Sequence, residues 1–236
     1  MQVVRRVMVA LALVAAACGH RGTKPYDMGV AEHEAAAQRE TVLARQHAAQ
    51  YDPDADAQPR CDPAAESICW TPDNPTEPHA YEARHRLEIA QRHRAASVAL
   101  REAEARACSG IPDVDRVTSP FEHARDIRRV TVLTDSRGAG PTASTYRLGI
   151  EVEFAAVPGL DVARLQRLVD CHGARNAVIG YATTAQEHPR CPLAVGPVDT
   201  VVRTTTDGGY EITVVPRRTA DVNAVVLRGR ALRPAP

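Results

Sequence analysis

Tyr146-Arg147-Leu148-Gly149-Ile150-Glu151-Val152-Glu153-Phe154 is the stretch that decides the fold class. Tyr146, Leu148, Ile150, Val152 and Phe154 alternate with Arg147, Gly149, Glu151 and Glu153. A period of two is the signature of a β-strand with one buried face. Residues 129–134 supply a partner strand across a loop containing Gly and Pro. Beyond Pro158-Gly159, Asp161 can cap a helix whose Val162, Leu165, Leu168, Val169 and His172 lie at helical spacing on one side. Residues 179–197, with Pro189, Pro192 and Pro197, read as an irregular connection. Residues 198–205 and 210–215 then flank Asp207-Gly208, a hairpin signal. Val222, Val225, Val226 and Leu232 predict a last helix, although β-branched valines leave a last strand open. The order over residues 128–233 is ββαββα. It predicts an antiparallel sheet with helices on one face, a two-layer α+β domain. No sequence repeat underlies the doubling.

Upstream of this domain the pattern changes. Residues 30–50 are rich in Ala, Glu, Gln, Arg and His, all compatible with a helix, and Tyr51-Asp52-Pro53 ends it. A long loop follows, with Pro53, Pro59, Pro63, Pro72 and Pro75 around Cys61, Cys69 and Trp70. Thr76 can cap a second helix that tolerates Pro78 in its first turn and runs to Cys108. Along it Ile89, His93, Ala96, Leu100, Ala103 and Ala107 draw one seam of small residues. Small residues let helices approach closely, so residues 30–110 are expected to form an antiparallel helical hairpin. Residues 111–127 read as a linker. In it Ser119-Pro120-Phe121-Glu122 carries a capping-box pattern for a short helix.

Composition narrows the function classes. Lys and Arg together number 29, as do Asp and Glu, so the 236-residue chain has a formal net charge of +0. A near-neutral chain lacks the basic excess that draws a protein to nucleic acid. One Trp, six Tyr and two Phe leave few aromatics to line a large pocket. One modest core beside an extended Ala-rich part is expected, not a single large enzyme core.

The chain opens with Arg5 and Arg6, then an apolar run over residues 7–17, then Ala15-Ala16-Ala17-Cys18. The run has the length of a secretory signal core and is too short for a permanent span, which needs about 20 residues. Small residues before a cysteine resemble the lipobox of bacterial lipoprotein signal peptides, with Ala15 where that family carries Leu or Val. The resemblance covers residues 1–18. It implies removal of residues 1–17 and a diacylglycerol on Cys18 as the new N-terminus. It also implies a lipidated tether over residues 18–29, with the membrane as partner through the lipid. Gly19, in place of Asp, implies the outer membrane, facing the periplasm. An ordinary secretory signal would instead leave a secreted or periplasmic protein.

Export to an oxidising compartment makes disulfides the default for Cys61, Cys69, Cys108, Cys171 and Cys191. The preferred pairs are Cys61–Cys69 and Cys171–Cys191, with Cys108 left over. A competing reading makes Cys171, His172, His188 and Cys191 a zinc or copper site, since thiolates and imidazoles suit both metals. Against it, adjacent helical side chains point about 100° apart. Catalytic patterns fail one by one. His33-Glu34 begins a zinc-protease motif, but Ala37 stands where the second His belongs. Glu82 and His85 lack the second motif of a di-iron bundle. Gly138-Ala139-Gly140-Pro141-Thr142-Ala143 mimics a dinucleotide loop, yet Pro141 intervenes and a strand follows. The sequence therefore predicts no catalytic residues and no cofactor. It predicts a non-catalytic, lipid-anchored interaction or structural module of the cell envelope, with another envelope protein as a partner and no nucleic acid.

Overall fold

The computed structural model describes residues 22–61, 69–137 and 144–232. The signal segment, Cys18 and the Gly138–Ala143 pattern lie outside these residues. The described chain is α+β, with an N-terminal helical pair followed by a four-stranded antiparallel sheet. Among the described residues no helix is long and apolar enough to cross a membrane.

Helices α1 (Val30–Gln50) and α2 (Glu77–Ala107) form the expected antiparallel hairpin. Glu32 reaches back to accept the Gly29 N–H at 3.1 Å, closing the start of α1. The seam follows spacings of three and four. Val30, His33, Ala37 and Ala44 are buried on α1, and Ala83, Ala90, His93, Ser97 and Leu100 on α2. The seam expected on α2 holds at His93, Ala96 and Leu100, but at its first position Ala90 is buried and Ile89 only half-buried. Ala103 and Ala107 are half-buried. They line a cavity beside the next long helix together with Gly173, Ala174 and Ala177.

Among the described residues the loop between these helices contains a strand pair that the sequence reading did not include. Gln58–Cys61 (β1) pairs antiparallel with Cys69–Asp73 (β2), and the register sets Cys61 opposite Cys69. Polar groups close the neck of this tip. The Asn74 side-chain amide donates to the Asp52 carbonyl at 2.7 Å, and the Asp52 N–H donates to Thr76 Oγ1 at 3.0 Å.

The linker contains a one-turn helix, α3 (Asp113–Val117), which the sequence reading missed. The helix expected at Ser119 is a single 3-10 turn, Pro120–Glu122. Its cap is Ser119 Oγ, accepting the Phe121 N–H at 3.3 Å.

The C-terminal sheet comprises β3 (Ile127–Arg137), β4 (Ser144–Phe154), β5 (Val198–Thr204) and β6 (Tyr210–Pro216), in the spatial order β3-β4-β6-β5. Helices α4 (Val162–Ile179) and α6 (Val222–Ala231) supply its core partners. Ile150, Val152, Phe154, Ile212 and Val214 pack with Leu165, Val169, Val225 and Val226 in one cluster. The last element is thus a helix, and the alternative strand falls.

The alternation across 146–154 breaks at Leu148. Leu133 pairs with Gly149 but Thr134 with Arg147, so Leu148 is bulged out of the ladder and exposed. The bulge buries Gly149 instead, where a Cβ would stand 2.2 Å from the Val214 carbonyl oxygen. The connection after α4 is also not wholly irregular. Gly180, with φ +100, breaks the helix, and a second short one, α5 (Tyr181–Glu187), follows at once.

The two halves meet on α4. Cys108, at the end of α2, forms a disulfide with Cys171 of α4, with Cα atoms 4.6 Å apart. Val30, Leu100 and Ala177 make a small cluster at the same junction. Gly29 approaches so closely that a Cβ there would lie 2.5 Å from the Ile179 carbonyl oxygen. Gln166 of α4 meanwhile reaches edge strand β5 and accepts the Val202 N–H at 2.8 Å.

Candidate functional site

Helix α4 presents two neighbouring side chains to opposite surroundings. Cys171 points to the end of α2 and shares a small cluster with Cys108 and Ile111. His172 points the other way, toward Cys191, which belongs to the main core with Phe121 and Leu193. The turn of about 100° between adjacent helical side chains separates them. The expected Cys171–Cys191 bridge is therefore not formed. Cys108, left over in the sequence reading, takes Cys171, and Cys191 is a free, buried thiol.

Cys191 Sγ lies 3.6 Å from His172 Nε2 and 3.4 Å from Ser119 Oγ. Burial pushes the Cys191 thiol up, against the opposing Ser119 hydrogen bond. Burial also lowers His172 to about 4, helped by His188 and Arg175. Both shifts favour the neutral forms, so the pair is a thiol beside an imidazole and not a thiolate–imidazolium pair. A cysteine nucleophile needs the second state. Among the described residues His172 Nδ1 has no hydrogen-bond partner, whereas a catalytic base is commonly oriented by one.

On the far side of Cys191 is a cavity of about 280 Å³, whose walls include Phe121, Glu122, His188, Arg190 and Leu232. His188 Nδ1 and Glu122 Oε1 are 2.9 Å apart there. The rings of His172 and His188 meet edge-on, centroids 6.1 Å apart. The proposed ligand set thus loses Cys171 to the disulfide. Among the described residues no three His, Cys, Asp or Glu side chains are arranged to hold a metal ion. A larger cavity, about 330 Å³, opens at the start of α4. It has an apolar floor of Phe154, Leu165, Leu168 and Tyr210, and the Arg164–Asp115 pair, at 3.3 Å, lies on its rim.

The motifs rejected on sequence resolve into packing. His33 Nδ1 meets His93 Nδ1 at 2.9 Å inside the helical seam. Glu82 accepts from Arg86 at 2.7 Å, and His85 stacks on Tyr81. Sequence reasoning missed the pairing of His33 with His93 and of His47 with His79, whose Nδ1 atoms are 3.2 Å apart. A signal was present: His33 and His47 are fourteen residues apart, and so are His79 and His93. Comparison with protein-family models, with curated proteins and with solved structures finds no match.

Proposed function

We propose that the protein is an exported, lipid-anchored interaction module of the cell envelope. It is held by Cys18 at the outer membrane, faces the periplasm and acts without catalysis. The observation that carries this reading is the Cys108–Cys171 disulfide joining the helical hairpin to the α+β domain. Such a cross-link persists in an oxidising compartment and is reduced in the cytosol. The lipobox-like residues 15–18 support it independently.

The architecture suits presentation. Cys18 lies twelve residues before Val30, and the chain enters α1 at the root of the hairpin, where α1 and α2 meet α4. From there α1 runs 21 residues, about 30 Å, to the β1–β2 tip. A lipid tethered through the root, with the β1–β2 pairing at the far end, would hold a contact surface away from the membrane, toward another envelope protein. Fractionation of cells making the wild type and Cys18→Ser tests the reading. Wild-type protein in the outer-membrane fraction, with Cys18→Ser released to the soluble fraction, is expected. Wild-type protein in the cytosol would overturn it.

A further inference from the structure

The helical seam repeats polar layers at intervals of seven residues. His33 meets His93, Glu40 meets Arg86 at 3.1 Å, and His47 meets His79. Each step outward on α1 is matched by an equal step back on α2. Between these layers stand small residues, Ala37 and Ala90, then Ala44 and Ala83, all buried. The helices are therefore close enough for imidazole to touch imidazole across the seam. His33 is 0% exposed and His93 4%.

Two ring nitrogens at hydrogen-bond distance hold one proton between them. One donates, and the other must be bare. A ring with a bare nitrogen is neutral, so neither pair can carry two imidazolium charges while its contact lasts. For the inner pair the tautomers follow from one more contact. His33 Nε2 lies 3.3 Å from the Pro25 carbonyl, which can only accept. The His33 proton is thus on Nε2, its Nδ1 is bare, and His93 donates. A first added proton goes to His93 and is disfavoured by burial. A second has no place except His33 Nδ1, where it breaks the contact.

The surroundings do not supply the missing compensation. Burial lowers His93, the His33 ring and Arg39 add to that, and Glu40 opposes them. Glu40 is itself engaged by Arg86, which also binds Glu82 at 2.7 Å. Glu34, one residue on from His33, is held by Arg101 and Ser97 of α2. From the α4–α5 side, Ala177, Val178 and Tyr181 pack at Val30 and Leu100. The His47–His79 pair lies one step of seven beyond the same Glu40–Arg86–Glu82 layer.

We propose that the α1–α2 seam is an acid-operated clasp, closed while each histidine pair holds a single proton and loosened when acid demands a second. Closed, each pair holds one proton fewer than two separated rings can hold. Each excluded proton raises the opening equilibrium by up to about tenfold per pH unit. Two pairs acting together approach about a hundredfold per unit below pH 6. The clasp needs only the seam and stands whether or not Cys18 is acylated.

The test is amide hydrogen exchange on the full chain in mild detergent from pH 7.5 to 5, corrected for intrinsic exchange. Protection over residues 30–50 and 77–100 should fall with a steepness between one and two protons, while β4 and β6 stay protected. Gln keeps a hydrogen bond across the seam and cannot titrate. Replacing all four histidines by Gln should flatten the response. Should that variant fail to form the hairpin, imidazole nitrogen spectra of the wild type decide: one ring of each pair must stay neutral at pH 6 while the contact persists. Flat wild-type protection, an unchanged slope in the Gln variant, or both rings of a pair charged in the closed state would overturn the proposal.

Discussion

Replacing Cys108 and Cys171 together by alanine removes the covalent tie between the helical hairpin and α4. The two residues are separated by 63 positions, and closing a loop of that length in the unfolded chain restricts it by about 4 kcal/mol in the chain-entropy treatment. Both sulfurs lie in a buried cluster with Ile111, so two alanines also leave small voids and no exposed partner. The double variant should therefore be about 4 kcal/mol less stable than the oxidised wild type. With a urea slope of ~2 kcal/mol per molar, the unfolding midpoint falls by about 2 M. Far-UV circular dichroism against urea, on wild type and variant at one pH, reads this directly. The loss should be larger for the hairpin than for the sheet, because α2 has its covalent hold on α4 at that point. An unchanged midpoint, with the wild type verified as oxidised, would refute the assignment of a stabilising tie to this pair. So would peptide mapping that finds Cys171 joined to Cys191.

Three further outcomes follow from the geometry. Gly149→Ala places a methyl 2.2 Å from the Val214 carbonyl, against backbone that cannot step aside cheaply. It should cost about 1–3 kcal/mol, and amide exchange should quicken first along the β4–β6 ladder. His172 is depressed to about 4 in the folded chain, mainly by burial, so the unfolded chain binds its proton first as pH falls. Its stabilising contribution is complete above about pH 6.5 and is lost progressively toward pH 4, by at most about 3 kcal/mol. The difference in urea midpoint between wild type and His172→Gln should shrink over that interval, and a constant difference would contradict the burial argument. Cys191 is buried and its thiol is raised, so iodoacetamide at pH 8 should label it at least about tenfold more slowly in the folded protein than in urea.

Periodicity carried most of the architecture. The apolar positions of β4, the Leu165–Val169 face of α4 and the small residues of α1 and α2 each repeat at the period of the element they form. What stayed hidden depends on contacts between distant segments. The bulge at Leu148 leaves the letters alternating while the backbone changes phase, so only the β3 register reveals it. Helix α5 was concealed by Thr183-Thr184, poor helix formers. Thr184 is nevertheless fully buried, and its hydroxyl donates to the Gly180 carbonyl at 3.2 Å. The cysteine pairing turned on which face of α4 met α2, which proximity in sequence does not encode. The histidine pairs had their spacing in plain sight, but matching 33 with 93 requires the hairpin register. That register is set by the closely packed alanine layers.

Export, acylation at Cys18 and the cross-link from Cys108 to Cys171 make up the proposed state of the chain. Intact-mass analysis of the membrane-extracted protein, native and denatured, with and without thiol alkylation, tests it most directly. The expected result is a chain beginning at Cys18 with acyl groups attached, a Cys108–Cys171 linked peptide and a Cys191 that alkylates only after denaturation. A chain that retains Met1, with Cys108 and Cys171 both open to alkylation, would contradict it.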